Sequence, residues 1–391
     1  MSVWHASMVR EWQRLRASRW DMAMVSWVPL LSMALMCWIF ASGQPYKLPV
    51  AVWNEDHSSL SRQLVRMLQA APGLHVQQQV LNQAEAADAM ERMHVYGVVH
   101  IPPRWSEQIK QGGSGTVTLL HNAQLATVSS LIQRDVQQVV GTLSAGIEMQ
   151  ARTKRGEPHQ VVQVRMEPIS TKLVALFNVS TNYEQFLAAA LIPALVHILS
   201  MTAGVWAVGR ELRDRTLDLW LADCRGWVDA MSALCGKLAL PALTLWCSGM
   251  LCLLYLAVAK GWAVAGSMLW IALGLAALVA VSIAAGAMLA ALSMSLRMAL
   301  SGAGLLSAPA FAFSGVGFPL LAMSPTAQNW ANAMPYTYYA KLQLAQWQMG
   351  APVAYSAQIV SGLALAACVL LCVGGWGLVR ALRRPARWGA R

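Results

Sequence analysis

Six stretches, at residues 22–43, 186–209, 238–259, 264–292, 298–321 and 358–379, are overwhelmingly apolar and contain no aspartate or glutamate. A helix of about 20 such residues crosses a hydrocarbon core of about 30 Å. Within lipid every backbone N–H and C=O must find its partner inside the protein, so open stretches of this length fold as helices. The sequence therefore predicts an α-helical polytopic membrane protein with six transmembrane helices. Composition agrees, because only 12% of the 391 residues are charged, against about 25% in soluble domains. The first stretch is too long for a cleaved signal peptide and lacks a small-residue cleavage site after it.

A net charge of +11 could suggest nucleic acid, so its distribution decides the matter. Residues 44–184 hold twelve Lys/Arg and eleven Asp/Glu, and are nearly neutral. The excess lies in short segments beside the apolar stretches: Arg10, Arg14, Arg16 and Arg19; Arg210, Arg213, Arg215, Arg225 and Lys237; Arg297; and Arg380, Arg383, Arg384, Arg387 and Arg391. Basic residues in short loops stay in the cytoplasm. Six crossings that start inside put all these clusters on one face, with both termini cytoplasmic and residues 44–185 outside. Membrane lipid is then the partner of the basic segments, and nucleic acid is not. None of the seven cysteines falls in 44–185, which excludes a disulfide framework there, and their positions beside apolar stretches read as small buried hydrophobes.

Three segments break the pattern of crossings. In residues 1–21, Trp4, Met8, Trp12 and Leu15 recur at helical spacing with Arg10 and Arg14, as in an amphipathic helix lying in the inner interface. Residues 44–185 alternate strand signals (48–53, 74–80, 95–101 and 116–121) with helical ones (58–70, 83–93 and 103–110). This predicts an inserted α/β or α+β extracytoplasmic domain, closed by a long helix over 124–153. Gly112 to Gly115 read as a turn. Between 307 and 335, Pro309, Gly315, Gly317, Pro319, Pro325 and Pro335 interrupt apolar sequence. Broken backbone at membrane depth is tolerated only under protein cover, so re-entrant helices are expected before the last span.

Catalytic signatures are absent. No GxxxxGK[ST] phosphate loop occurs, since Gly236-Lys237 is followed by leucine, and HExxH, CxxC and GxSxG are missing as well. The outer histidines, His57, His75, His94, His100, His121 and His159, are scattered. An ion-coupled transporter usually keeps carboxylates in its spans; here His197 is the one histidine in any span, read either as a hydrogen-bonded bundle residue or as part of a substrate path. Energy must then come from outside the chain. A highly charged segment, Arg210, Glu211, Arg213, Asp214, Arg215, Thr216, Leu217 and Asp218, sits between two spans and suits that role. The rivals are a membrane-tethered receptor using its outer domain and an ion-coupled transporter.

Several motifs together resemble the membrane subunits of type-2 ATP-binding-cassette exporters, in the subclass with a large extracytoplasmic domain after the first span. Glu11 and Trp20-Asp21 before Pro29-Leu30 look like the interfacial helix feeding the first crossing. Val50 to Asp56 followed by Ser58 to Ser61, and Val98 to Ser106 with its Ile-Pro-Pro, resemble the outer domain's strands. Arg210-Glu211 and Thr216-Leu217-Asp218 look like the inner loop, commonly Arg-Glu, a spacer, Gly-Thr, one residue and Glu. In this chain Arg215 occupies the glycine position and Asp218 that of the last Glu. Gly236-Lys237-Leu238 is similar to the start of the third crossing, and Met334 to Tyr339 to the stretch before the sixth.

The resemblance implies a permease in the bacterial inner membrane that pairs with a second copy, as homodimer or heterodimer, and docks cytoplasmic ATPase subunits. The loop at 209–237 would be the coupling element, with Arg210, Glu211, Arg213, Arg215, Thr216, Leu217 and Asp218 facing the ATPase. The chain itself would bind no cofactor, ATP and Mg being held by that partner. A periplasmic membrane-fusion adaptor and an outer-membrane channel are further implied partners. A hydrophobic cargo such as a drug or lipid would leave along the seam between copies, near Met201, His197, Phe311 and Phe313.

Overall fold

The computed structural model describes residues 2–41, 46–111, 113–122, 125–154, 182 and 184–389. Gly43 of the first apolar stretch, Gly112 of the expected turn, Gln124 at the start of the long helix, His159 and Arg391 lie outside them. The chain divides into two compact units, Met1–Gly43 with Ala175–Arg391, and Gln44–Val174. The first unit opens with α1 (Val3–Ala17), α2 (Arg19–Val25) and α3 (Trp27–Ile39). Ser2 and Ser18 cap α1 and α2, each accepting a backbone N–H three residues on. The first apolar stretch is therefore a pair of helices bent by 42°. Pro29 explains the bend, because it cannot donate to Val25 and its ring crowds that carbonyl.

The second unit contains a four-stranded sheet in the order β2-β1-β3-β4. In chain order it comprises β1 (Leu48–Asn54), α4 (Ser59–Ala70), β2 (Leu74–Val80), α5 (Gln83–Glu91), β3 (Gly97–Ile101), α6 (Trp105–Lys110), β4 (Thr118–His121) and α7 (Ala126–Lys154). Strands β1 to β3 are parallel and β4 is antiparallel to β3. Period-two alternation on β1 sorts the two faces: Val50 and Val52 pack against α4, α6 and α7, through residues such as Leu64, Trp105 and Ile132. Ala51 turns to the other face, with Ala86 and Ala89 of α5.

The first unit resumes with a π-helical turn, Glu184–Ala188, leading into α8 (Ala189–Arg213). The remaining helices are α9 (Leu217–Trp220), α10 (Trp227–Leu254), α11 (Met268–Ser293), α12 (Leu296–Ser307), α13 (Ala310–Phe313), α14 (Pro325–Ala333), α15 (Pro335–Leu344) and α16 (Val353–Leu382). Among the described residues, five helical segments are long and apolar enough to cross a membrane, six if the bent α2–α3 pair counts as one. This is the architecture of a multi-pass membrane protein. Two boundaries differ from the sequence expectation by more than five residues. The third span begins at Trp227 rather than 238, and the fifth ends at Phe313 rather than 321. The first shift occurs because Lys237 lies inside a helix instead of marking its end. The second follows from Ser314 to Pro319, whose bends and Gly315 (φ +87°) stop the helix. Beyond them the segment from 307 to 335 is a string of short helices.

Helix α11 has no polar face and packs mainly between α8 and α16. Its crossing with α8 depends on two reciprocal glycines. A Cβ at Gly204 would lie 2.0 Å from the Ile283 carbonyl oxygen, and one at Gly286 would lie 2.0 Å from that of Met201. Small residues at such a crossing let helix backbones touch, which is how membrane helices gain packing energy without a hydrophobic drive. The alanine variants at either site should each cost about 1–3 kcal/mol through overpacking. Gly362→Ala, with nothing within 4 Å, should leave the melting temperature of the solubilised protein unchanged or raise it. Equal melting of all three variants would refute this crossing.

Candidate functional site

One end of the first unit collects the end of α8, the start of α10, the 293–296 link between α11 and α12, and the end of α16. It also carries most of the unit's arginines. Helix α8 ends as its ladder closes with the Asp214 N–H on the Arg210 carbonyl at 2.8 Å, and the Thr216 N–H then reaches back to the Glu211 carbonyl at 2.9 Å, the 6→1 bond of a Schellman ending. Such an ending needs one left-handed residue, normally glycine. Arg215 supplies it with φ +55°, at a cost of about 1–2 kcal/mol. The position that is glycine in the resembling loop thus keeps the glycine conformation here. The short α9 follows, and α10 begins after Gly226, where Asp229 accepts the Arg225 N–H at 2.9 Å.

Beneath this surface lies a buried ionic cluster. Arg210 bonds Glu11 of α1 and Asp21 of α2, each at 2.5 Å. The Lys237 ammonium, fully buried in α10, lies 2.7 Å from Glu11 and 2.8 Å from Glu211. Arg14 reaches Glu211 at 2.6 Å and Arg10 reaches it at 3.4 Å. Thr216 bonds the same carboxylate through its hydroxyl and accepts from Arg14 at 2.9 Å. Indoles close the cluster: Trp206 Nε1 donates to Asp21 at 2.8 Å, and Lys237 Nζ sits 4.7 Å from the Trp220 ring centroid. Three carboxylates thus face four cations, so the interior is neutral to within one charge, as buried ions require.

Glycine again sets the approach. A Cβ at Gly236 would meet the Trp4 carbonyl oxygen at 2.1 Å, so α1 lies directly on the backbone of α10. Its protein-facing stripe is Val3, Ser7, Glu11 and Leu15, at steps of four, with Ser7 accepting from Trp220 Nε1 at 3.0 Å. Trp4 and Trp12 point away from the bundle, Arg16 stacks over Trp12, and Met8 is half-buried. Helix α1 therefore has two working faces, and of the four apolar positions expected to share one, only Leu15 is buried against the protein. Hydrophobicity could not have found the inner stripe, since two of its four members are polar.

The charged loop also divides. Arg210 and Glu211, expected to offer their charges to a partner, are 4% and 0% exposed and form their ion pairs within the chain. Leu217 is buried and Thr216 half-buried. The exposed charges of the segment are Arg213, Asp214, Arg215, Asp218, Asp223 and Arg225, and its exposed apolar residues are Leu219, at 65%, Trp227 and Val228. Leu219 was not singled out from the sequence, although an isolated leucine among charges on a short helix was the available signal. Burial, then Asp229 and Asp223, push the neighbouring Cys224 thiol up to about 11, which keeps it protonated and unreactive.

The residues expected along a substrate seam are placed differently from one another. His197 is buried between α8 and α11, its Nδ1 2.7 Å from Ser282 Oγ, and its ring lies 6.3 Å from that of Tyr336. Met201 is buried at the Gly286 crossing. Both are enclosed within the chain itself. Phe311 and Phe313 are half-buried on α13, and Phe311 packs near Tyr336.

With this geometry in place, comparison with known proteins is informative. A family model described as "ABC-2 family transporter protein" matches residues 19–376. No curated protein matches the chain significantly.

Removing one partner of a buried ion pair strands the other, at about 3–5 kcal/mol. Arg210→Ala should therefore lower the melting temperature of the solubilised protein and expose the Ser18 junction to protease as α1 detaches. Trp12→Ala, on the outward face, should change melting by less than about 0.5 kcal/mol. Equal stability of the two variants would show that the cluster does not hold α1.

Proposed function

Since the chain belongs to the ABC-2 family of transporter proteins, we propose that it is the permease subunit of an ATP-driven exporter. Two copies pair in the bacterial inner membrane, and a separate cytoplasmic ATPase subunit, with its ATP and Mg, docks on each. The basic end faces the cytoplasm together with both termini, as the charge bias supports. The sheet unit, inserted between the first two spans, lies outside, where an adaptor leading to an outer-membrane channel would meet it. The cargo is hydrophobic or amphiphilic.

One observation carries the coupling assignment. Two membrane helices are joined by a short segment in which an exposed leucine lies among exposed charges of both signs, and a buried ionic cluster holds the ends of those helices together. An apolar anchor inside a charged rim is the anatomy of a protein-docking site. Arg210 and Glu211 support the docking surface from beneath, while Leu219, Arg213, Arg215 and Asp218 meet the partner. On binding nucleotide the ATPases close, and the motion passes through this surface into α8 and α10.

Leu219→Asp should weaken association with the ATPase subunit by about 2 kcal/mol or more, as loss of a central anchor does. Copurification and export should fall together while insertion and melting are unchanged. Unaltered copurification would remove Leu219 from the contact. Separately, a cysteine replacing Asp218 should react with a membrane-impermeant maleimide only after the cytoplasmic face is opened. Labelling of intact cells from outside would put the loop beyond the reach of any ATPase.

A further inference from the structure

Beyond α16 the chain turns back across the end of the bundle. The helix finishes at Leu382, the Arg384 N–H donates to the Ala381 carbonyl at 2.9 Å, and Pro385–Arg387 make one tight turn. Trp388 then enters the core at this end. It is 7% exposed, belongs to one buried cluster with Leu212, Leu217, Trp220, Leu221 and Met294, and donates its Nε1 proton to the Ala381 carbonyl at 2.8 Å. Gly389, left-handed at φ +69°, gives its N–H to the Met294 carbonyl at 3.0 Å. A Cβ built on it would lie 3.7 Å from the Leu212 carbonyl oxygen and 4.0 Å from the Arg213 Cα. Met294 directly follows α11 and Leu212 lies in the last turn of α8. Because α11 packs between α8 and α16, residues 384–389 run over the end of α11 and reach the start of the charged loop.

The segment carries charge of one sign. Arg383, Arg384 and Arg387 are exposed, as is Arg297 in the first turn of α12, and none of the four has an ion-pair partner among the described residues. In the charged loop, by contrast, Arg213 pairs with Asp214 at 2.8 Å. No aspartate or glutamate follows Asp229 in the sequence, so the last five helices and the segment after them hold no acid to answer these arginines. Topology requires only that basic residues stay on the inner side, and a free tail would satisfy it. Ordering residues 384–389 costs conformational entropy, which the buried indole and its hydrogen bonds offset. The result is a set of guanidinium groups carried on a fixed backbone beside the loop. A guanidinium so held loses little freedom on pairing and can grip a carboxylate with two parallel bonds. The end face of the bundle is turned away from hydrocarbon, so the anion it suits belongs to a soluble protein rather than to a lipid headgroup.

We propose that residues 383–389 are a second docking element for the ATPase subunit, in which Arg384 and Arg387 meet an acidic patch on that protein next to the charged loop and Trp388 positions them. The proposal rests on the exporter reading and adds to it a partner surface of stated charge. Purified full-length protein in phosphatidylcholine nanodiscs is titrated with the purified ATPase subunit of the same transporter. Arg384→Glu together with Arg387→Glu should weaken the association roughly tenfold or more, because each reversal turns attraction into repulsion. The corresponding pair of lysine substitutions should retain most of the affinity, and the pair of glutamines should flatten its dependence on salt. Trp388→Ala leaves every charge in place but frees the segment, and should weaken binding too. The arginine variants touch no buried residue, so gel filtration and melting should match the wild type. Full affinity in the Arg→Glu pair, with Leu219→Asp still impaired, would overturn the proposal and leave the exporter reading standing. Wild-type protein that binds no ATPase subunit would overturn both. A wild-type affinity that falls to that of the Arg→Glu pair once phosphatidylglycerol is added to the nanodiscs would assign the arginines to lipid headgroups, and the proposal would fail.

Discussion

A buried lysine organises the inner half of this molecule. Lys237 is fully enclosed, and taking an ammonium out of water costs several kcal/mol even after the protein relaxes. That cost is tolerable only because Glu11 and Glu211 arrive from two other helices within 2.8 Å. Those carboxylates in turn need Arg210, Arg14 and Arg10, and Arg210 needs Asp21. One buried charge thus fixes where α1, α2, α8 and α10 must meet. Gly236 next to it removes the side chain that would keep α1 off α10. A single dipeptide therefore sets both the electrostatics and the spacing of the assembly.

The legibility of the sequence tracks how local each interaction is. The spans could be read because hydrocarbon thickness imposes a run length that needs no knowledge of partners. The sheet strands fall within two residues of their expected limits, since alternation and turn residues are also local. The ionic cluster could not be read in the same way. Arg210 and Glu11 are 199 positions apart, and in sequence Lys237 looks like one more flanking cation that ends a loop. Instead it extends α10 by eleven residues, and with Arg210 and Glu211 enclosed the exposed surface shrinks to residues 213–228. The same limit applies to α1: its tryptophans advertise an outward face, while the face that binds the protein is built around Ser7 and Glu11, which a hydrophobic pattern discounts.

Enclosure of Arg210 and Glu211 changes what those residues do. A charged pair offered to a partner in water is worth little, whereas the same pair buried is rigid, directional and expensive to break. Placed beneath a Schellman turn that Arg215 holds in the glycine conformation, the cluster makes residues 213–228 a stiff platform. On the proposed reading, force applied at Leu219 moves α8 and α10 as one piece with α1, because the contacts between them are ion pairs and direct backbone contact.

The two ends of the spanning unit are built in contrasting ways. The basic end is held by seven charges and close-packed glycines. The opposite end is made of short helices interrupted at Pro309 and Pro319, with π-turns and a left-handed Gly315; at the start of α8 the Ala189 carbonyl freed by Pro193 is met by Gln343, and the Ala190 carbonyl accepts from Tyr336. A neutral hydrogen bond contributes about 1 kcal/mol net, several times less than the cost of stranding a buried charge. On the proposed reading, displacement imposed on the ion-paired end is taken up at the opposite end, where α8 begins.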